Sequence, residues 1–243
     1  MKTVGVDVSS QPKGTASCLV HWSNGSARID AVEEGLEDGR LEKVVNGPVD
    51  KVGIDVPLGW PDIFVDAVTR HQRGEPFGDS PTRDLRHRVT DIWVRQQTGQ
   101  IPLSVATDWI SYPAMRMARI LGRLSAPVVD RSGSDHLVEV YPAAALRVWR
   151  LRHNGYKGDE GRAVLEAIIG ELRRRCPWLA ADEPIWGQLA RSDHAFDALI
   201  CALIARAHQT GLCHPIPDGQ EETARREGWI AVPMEGTLEG LAS

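Results

Sequence analysis

The chain has 243 residues, 42% of them hydrophobic and 25% charged, a composition that is ordinary for a folded protein and excludes disordered, collagen-like and coiled-coil chains. Its net charge of −5 counts mildly against a protein that holds nucleic acid mainly by charge, although a local basic patch is compatible with it. No apolar run reaches the roughly 18 residues that span a bilayer, and no signal-peptide core follows the first residues. We therefore expect a cytoplasmic protein without a membrane partner.

The first third of the sequence predicts strands. Short runs rich in β-branched residues are separated by turn signals, of which Asn24-Gly25 is typical of a hairpin. The predicted strands are Thr3–Val8, Ser17–Trp22, Ala27–Val32 and Val52–Val56. A short helix, Gly39–Asn46, is expected before the fourth strand.

The rest of the sequence predicts helices around one further strand, Leu137–Tyr141. The predicted helices are Pro61–Gly74, Arg83–Thr98, Tyr112–Leu124, Ala143–Arg152, Glu160–Cys176 and Ser192–Thr210. The last of these has Ser192 as its N-cap and Gly211 at its C-terminal stop. The segment Trp229–Val232 is expected to add a strand or to pack on the sheet. This pattern predicts one α/β domain, residues 1–243, with a helical insertion, residues 60–126, between the fourth and fifth strands.

Two of the predicted strands end in a carboxylate. Val4-Gly5-Val6-Asp7 and Val52-Gly53-Ile54-Asp55 are short apolar runs of the kind found in strands buried on both faces. If the two strands are neighbours, about 4.8 Å apart, their carboxylates converge where ligands gather in open α/β sheets. The alternative is that each aspartate caps a turn. The pair favours a functional site.

The last long helix carries a second acidic pair. Asp193 and Asp197 are one turn apart and share a face that adjoins the apolar stripe of the helix. The helix dipole accounts for Asp193 at the first turn but gives no reason for Asp197. His194 lies farther round the helix, where it contacts substrate, lines the rim or is merely exposed.

Two further residues are candidates with open alternatives. Glu139 lies within a predicted apolar strand, and its side chain is either on an exposed face of the sheet or in a functional site. Arg88 belongs to a basic predicted helix that either contacts substrate phosphates or forms a solvated face with an Arg88–Asp91 pair.

Carboxylates from separate strands and a late helix, aimed at one point, would repel each other unless a cation lies between them. Mg²⁺ or Mn²⁺ is the natural choice because both ions prefer oxygen ligands. Two such ions about 3.5–4 Å apart stabilise both the attacking and the leaving oxygen in phosphodiester cleavage. The candidate metal ligands are Asp7, Asp55, Asp193 and Asp197. The candidate catalytic residues are these four together with Glu139, and the candidate substrate-binding residues are Arg88 and His194.

The order of these features resembles the RNase H-like superfamily, most closely its RuvC-like resolvase branch. More specifically, the chain is similar to the family of domain of unknown function 429, described as predicted RNase H-like nucleases. The matching pieces are Val4-Gly5-Val6-Asp7, Gly53-Ile54-Asp55-Val56-Pro57-Leu58-Gly59, Arg88-Val89-Thr90-Asp91, Glu139-Val140-Tyr141-Pro142, Ser192-Asp193-His194-Ala195-Phe196-Asp197-Ala198 and Glu227-Gly228-Trp229-Ile230.

The resemblance implies an RNase H-like mixed five-stranded sheet flanked by helices. It also implies that Asp7 and Asp55 hold the metals and that Asp193 or Asp197 completes the site. Glu139 departs from the simplest superfamily pattern and is expected to position a metal-bound water.

The leading hypothesis is a metal-dependent nuclease with nucleic acid as its partner. One alternative is a phosphotransferase or nucleotide-binding protein of the related actin-like group. The other is a non-catalytic RNase H-like scaffold that binds a partner or small metabolite, which the acidic composition mildly favours.

Overall fold

A seven-stranded mixed sheet organises the structure, a computed structural model that describes residues 1–124 and 130–243. The strands are β1 Lys2–Asp7, β2 Ala16–Ser23, β3 Ser26–Glu34, β4 Lys51–Asp55, β5 Leu137–Val140, β6 Leu179–Ala180 and β7 Ile230–Ala231. They lie side by side in the order β6-β3-β2-β1-β4-β5-β7. Strand β2 is antiparallel to both of its neighbours, and the other adjacent pairs are parallel.

The mixed α/β architecture is as predicted, but the expected number of five strands is too low for the part of the chain described. Strands β1 to β5 correspond to the five predicted runs, and the β2–β3 hairpin turns at Asn24-Gly25 as expected. The sheet gains β6 and β7, one at each edge, and each has only two residues. Strand β7 lies within Trp229–Val232, the segment expected to add a strand or to pack on the sheet. Strand β6 was not predicted, because a two-residue strand is too short to produce a periodic pattern in the sequence.

Helices cover the sheet. They are α1 Asp38–Val45, α2 Asp62–Gln72, α3 Thr82–Arg86, α4 Val89–Thr98, α5 Ser111–Leu121, α6 Pro142–Val148, α7 Arg162–Arg175, α8 Glu183–Leu189, α9 Asp193–Gln209 and α10 Glu221–Glu227. Four of them, α2 to α5, lie between β4 and β5, in the stretch expected to form an insertion. The expected end of that stretch, residues 125 and 126, lies outside the described residues. Within those residues, no helix has the length and apolar character needed to cross a membrane.

The predicted helix Arg83–Thr98 is two helices rather than one. It breaks because Arg88, the N-cap of α4, has an extended backbone with ψ of 162°. The backbone N–H of Arg88 donates to the Asp91 carboxylate at 2.9 Å, which satisfies a donor that would otherwise be unpaired at the start of the helix.

Helix α9 is the 17-residue helix that packs on the centre of the sheet. It begins and ends as predicted. The Ser192 side chain accepts a hydrogen bond from the backbone N–H of Ala195, and Gly211 beyond the C-terminus has a φ of +72°. Nearly all of the helix between Ala195 and Ala207 is buried.

Two paired glycines let α9 lie directly on the strands. Gly5 of β1 and Gly53 of β4 are neighbours in register. A Cβ atom on Gly5 would overlap the carbonyl oxygen of Ala198, and one on Gly53 would lie 2.5 Å from the carbonyl oxygen of Cys201. The Thr3 hydroxyl of β1 also donates to the carbonyl of Ala202 at 3.0 Å. The sheet and the helix backbone are therefore in direct contact at this crossing.

We predict that Gly5→Ala lowers the free energy of unfolding by about 3 kcal/mol, because the added methyl must push α9 off the sheet. Gly170→Ala on α7 is the matched control: nothing lies within 4 Å of the new methyl, so a gain of roughly 0.5–1 kcal/mol is expected. Urea unfolding of both variants measures the difference. Equal stability of the two variants would show that the helix does not rest on Gly5.

Candidate metal centre

The ends of β1 and β4 place two aspartates side by side. The strands are parallel, and Asp7 is the register partner of Asp55. Both side chains therefore emerge at the carboxyl end of the sheet, as the sequence pattern predicts. The first turns of α9 pass over this end because the helix crosses the strands at Gly5 and Gly53, and they bring Asp197 to the same point.

Three carboxylates meet there. One oxygen from each of Asp7, Asp55 and Asp197 lies within 4.8 Å of the other two. Asp197 is fully buried, Asp7 is 8% exposed and Asp55 is partly buried. Carboxylates are rarely buried in such proximity unless they are paired or bind a cation.

Two residues of the loop before α7 hold Asp197 in place. The Tyr156 hydroxyl donates to one carboxylate oxygen at 2.7 Å, and the Lys157 ammonium lies 2.5 Å from the other. On the opposite side of the group, the Nδ1 atom of His194 lies 2.6 Å from an oxygen of Asp7. The carboxylates of Asp197 and Asp7 are therefore oriented by polar contacts.

The electrostatics show that these contacts do not neutralise the group. Burial, and then the charge of Asp7, raises the pKa of the Asp55 carboxyl well above its usual range. Burial also raises the pKa of Asp197 to about 6, although Lys157 opposes the shift. Against the opposing effect of burial, the three carboxylates raise the pKa of the Lys157 ammonium and keep it protonated. The contact with Asp7 also raises the pKa of His194. Lys157 and a protonated His194 supply two positive charges, fewer than the three negative charges of the fully ionised acids.

This donor set fits a hard divalent cation. Mg²⁺ and Mn²⁺ prefer carboxylate oxygens as ligands, and a divalent ion would balance the negative charge of the three acids. Burial is the main cause of the raised pKa values of Asp55 and Asp197, the neighbouring acids add to it, and a bound cation would favour the ionised forms. The residues that would hold the ion are Asp7, Asp55 and Asp197.

A pocket of about 270 Å³ opens beside the carboxylates, and we call it the inner pocket. The polar residues in its wall are Asp55, Arg88, Glu139, Tyr141 and Lys157. Much of the rest of its wall is apolar and includes Leu103 and Ile110 from the segment between β4 and β5. A substrate group in this pocket would lie next to the carboxylate group.

The structure separates the two aspartates that the sequence analysis placed together on α9. The Asp197 side chain lies with those of Asp7 and Asp55, whereas the Asp193 side chain contacts the loop before α7. One oxygen of Asp193 accepts a hydrogen bond from the backbone N–H of Gly158 at 3.1 Å. Asp193 therefore fixes the loop that carries Lys157. The side chain of His194 is 44% exposed at the rim and contacts Asp7.

Arg88, expected to bind substrate, and Glu139, expected to position a metal-bound water, bind each other. The Arg88 guanidinium donates to both oxygens of Glu139 at 2.6 and 2.7 Å and to both oxygens of Asp91. A further bond goes to the backbone carbonyl of Glu227, so all five N–H donors of Arg88 have partners. The side chains of Arg88 and Glu139 are 1% and 2% exposed. The Arg88–Asp91 pair is present as expected, but on a buried surface rather than a solvated one.

This buried network shapes the loop that follows Asp55. Glu139 accepts the backbone N–H of Leu58 at 3.0 Å. Glu227 accepts the backbone N–H groups of Asp62 and Val89, each at 2.8 Å. The network therefore joins the end of β4, helix α4 and the end of α10, and its contribution to the site is to hold these segments together.

Sequence reasoning missed Tyr156 and Lys157. They lie in a loop between two glycines with positive φ, Gly155 and Gly158, where no periodic pattern exists. The signal that could have pointed to Lys157 is composition, because it is one of only five lysines beside 23 arginines.

We predict that Asp55→Asn raises the melting temperature of metal-free protein near pH 8 by about 2–4 °C. The raised pKa of Asp55 means that its ionised form opposes folding. The penalty is absent below the unfolded pKa of about 4 and grows as the pH rises towards the folded value. The gain should therefore vanish near pH 4. Asp79→Asn, at an exposed position, is the control and should change little at either pH.

We predict that Arg88→Met lowers the free energy of unfolding by about 3–5 kcal/mol, because Glu139 and Asp91 lose their buried counter-charge. Arg86→Met, two residues away with a side chain 43% exposed, should cost less than about 1 kcal/mol. Denaturant titration compares them. If Arg88→Met were as stable as the wild type, Arg88 would have to act on a ligand rather than in the fold.

Comparison with known proteins identifies a family but no characterised relative. No curated protein and no solved structure matches the chain. One family model, described as a protein of unknown function, matches residues 5–222, which include the three carboxylates, the Arg88 network apart from Glu227, and the Tyr156–Lys157 loop. The chain therefore belongs to the protein family DUF429.

Proposed function

We propose that the protein is a metal-dependent nuclease of the RNase H-like superfamily that hydrolyses phosphodiester bonds. The observation that carries the proposal is the meeting of Asp7, Asp55 and Asp197 within 4.8 Å at the carboxyl end of the sheet. The strand order supports it as well: β1 to β5 form a meander followed by parallel strands, in the order β3-β2-β1-β4-β5, which is the arrangement expected of an RNase H-like core.

The cofactor would be Mg²⁺ or Mn²⁺, held by Asp7, Asp55 and Asp197. When bound, such ions activate the attacking water and stabilise the leaving 3′ oxygen of the phosphodiester. The excess negative charge of the three acids is the feature that favours binding of the cation.

The chain's own residues would orient this centre. Tyr156 and Lys157 fix the two oxygens of Asp197, and Asp193 fixes the loop that carries them. Lys157 also lines the inner pocket, where its ammonium can contact a substrate phosphate. His194 holds Asp7 from the solvent side and can exchange protons with water there.

We predict that Asp7→Asn, Asp55→Asn and Asp197→Asn each lower cleavage of oligonucleotides in Mg²⁺ or Mn²⁺ by at least about a thousandfold, because each removes a ligand of the ion. Asp193→Asn is the matched control one helical turn from Asp197. It should retain most of the activity, because Asp193 lies outside the three carboxylates and an asparagine oxygen can still accept the backbone N–H of Gly158. Gel assays on single-stranded and duplex DNA and RNA measure the rates.

Calorimetric titration with Mn²⁺ provides an independent readout of the same site. Wild-type protein and Asp193→Asn should release binding heat that Asp55→Asn does not. Normal cleavage by Asp55→Asn would contradict the mechanism. Stabilisation by ATP with Mg²⁺, without any oligonucleotide cleavage, would favour the phosphotransferase alternative, and the absence of carboxylate-dependent heat would favour the non-catalytic scaffold.

A further inference from the structure

The exposed apolar surface of the protein is concentrated in one segment. All the large hydrophobic side chains that are exposed in residues 1–124 and 130–243 lie between Ile63 and Met115, in the segment that connects β4 to β5. Five of them form what we call the apolar ridge: Ile101, Leu103, Trp109, Tyr112 and Met115. Exposed apolar patches of this kind mark binding surfaces more often than isolated exposed residues do.

The ridge is continuous with the candidate metal centre. Leu103, which is 56% exposed, also lines the inner pocket, together with Asp55 and Lys157. Trp109 is adjacent to Ile110, another residue of that pocket, and its side chain is 82% exposed. Its ring lies 6.0 Å from that of Tyr112 and is tilted by 41°. An exposed aromatic pair is therefore formed by Trp109, which directly precedes a residue of the pocket wall, and Tyr112.

The other side of the ridge borders a basic groove. This cavity, of about 300 Å³, is lined by Arg83, His87 and Arg95 and reaches the ridge at Ile101. Asp91 is also in its wall, but its carboxylate is bound to Arg88. The Nε atom of Arg83 donates to Asp84 at 2.7 Å, so part of the charge of Arg83 is already balanced. The ridge thus lies between a pocket next to the carboxylates and a groove that presents positive charge.

The charge of this segment differs from that of the whole chain. Residues 60–124 contain nine arginines and seven acidic residues, whereas the full chain carries a net charge of −5. The positive charge is supplied by arginine, since the segment has no lysine. Arginine is the residue best suited to phosphate because its planar guanidinium donates two parallel hydrogen bonds.

We propose that the apolar ridge and the basic groove bind an unpaired nucleic-acid strand, with one base in the inner pocket, a neighbouring base on Trp109 and Tyr112, and flanking phosphates on Arg83 and Arg95. The inference rests on the proposed nuclease activity and names its substrate class. The inner pocket has room for one planar group, and a base enters an apolar pocket only when it is unpaired. Exposed aromatic rings beside arginines form the stacking and phosphate contacts that single strands use.

The proposal is tested by measuring the Kd for a labelled single strand of about 12 nucleotides by fluorescence anisotropy. The measurement is made with Ca²⁺ in place of Mg²⁺ or Mn²⁺, and a gel verifies that the strand stays intact. Trp109→Ala should raise Kd by about 5- to 100-fold, the loss expected for one stacked base. Phe77→Ala is the control, since Phe77 is an exposed aromatic residue of the same segment that lines a different cavity. Its Kd should stay within about twofold of the wild type.

Arg95→Gln tests the phosphate contact separately. It should weaken binding and reduce the slope of log Kd against log salt by about 0.7. Both variants change surface residues, and melting temperatures equal to that of the wild type would verify their folding.

Three results would overturn the inference. The first is an equal Kd of Trp109→Ala and Phe77→Ala for the single strand. The second is tighter binding of the matching duplex than of the single strand. The third is a dimer, seen by sedimentation, that Trp109→Ala dissociates while the protein binds no oligonucleotide. The last would assign the ridge to a second copy of the chain. Binding that depends on Trp109 but is never followed by cleavage in Mn²⁺ would leave this inference standing and reject the nuclease activity. Cleavage at the same rate by the wild type and by the ridge variants would reject this inference and leave the nuclease activity standing.

Discussion

The close packing of helix α9 on strands β1 and β4 is the constraint on which the candidate metal centre depends. Gly5 and Gly53 leave no side chain between the sheet and the helix backbone, so the helix lies at a distance that any Cβ atom would forbid. Asp197 is one turn from Cys201, whose carbonyl faces Gly53. Ligands of Mg²⁺ lie at about 2.0–2.1 Å from the ion, so a helix displaced by a methyl group would withdraw Asp197 from a shared ion.

The three neighbouring carboxylates of Asp7, Asp55 and Asp197 lower the stability of the fold electrostatically. Burial and then the neighbouring acids raise the pKa values of Asp55 and Asp197, and Lys157 with Tyr156 offsets only part of this effect at Asp197. Groups that destabilise the fold in this way are concentrated at functional sites, where a ligand completes the charge balance. The buried Arg88 network has a different character, because Arg88 lies between the carboxylates of Glu139 and Asp91 and all five of its N–H donors are hydrogen-bonded within the chain. The first arrangement fits ligand binding and the second fits structural support.

Sequence reasoning could place the acids because their positions follow from local patterns. Apolar strands that end in Asp7 and Asp55 predict a common edge, and the helical spacing of Asp197 predicts a face that adjoins the core. The role of Arg88 was not accessible in this way, since its partner Glu139 is 51 residues distant and the same residues suit a phosphate contact. Lys157 lies in an irregular loop, where only the folded chain determines which side chain reaches the site.

Anomalous diffraction from a crystal soaked in Mn²⁺ tests the central claim most directly, because it locates the ion without reference to any substrate. We predict a Mn²⁺ peak among the carboxylate oxygens of Asp7, Asp55 and Asp197. Asp193 should remain bound to the backbone of Gly158, away from the ion. A Mn²⁺ peak only at other positions, or no peak among these three carboxylates, would contradict this assignment.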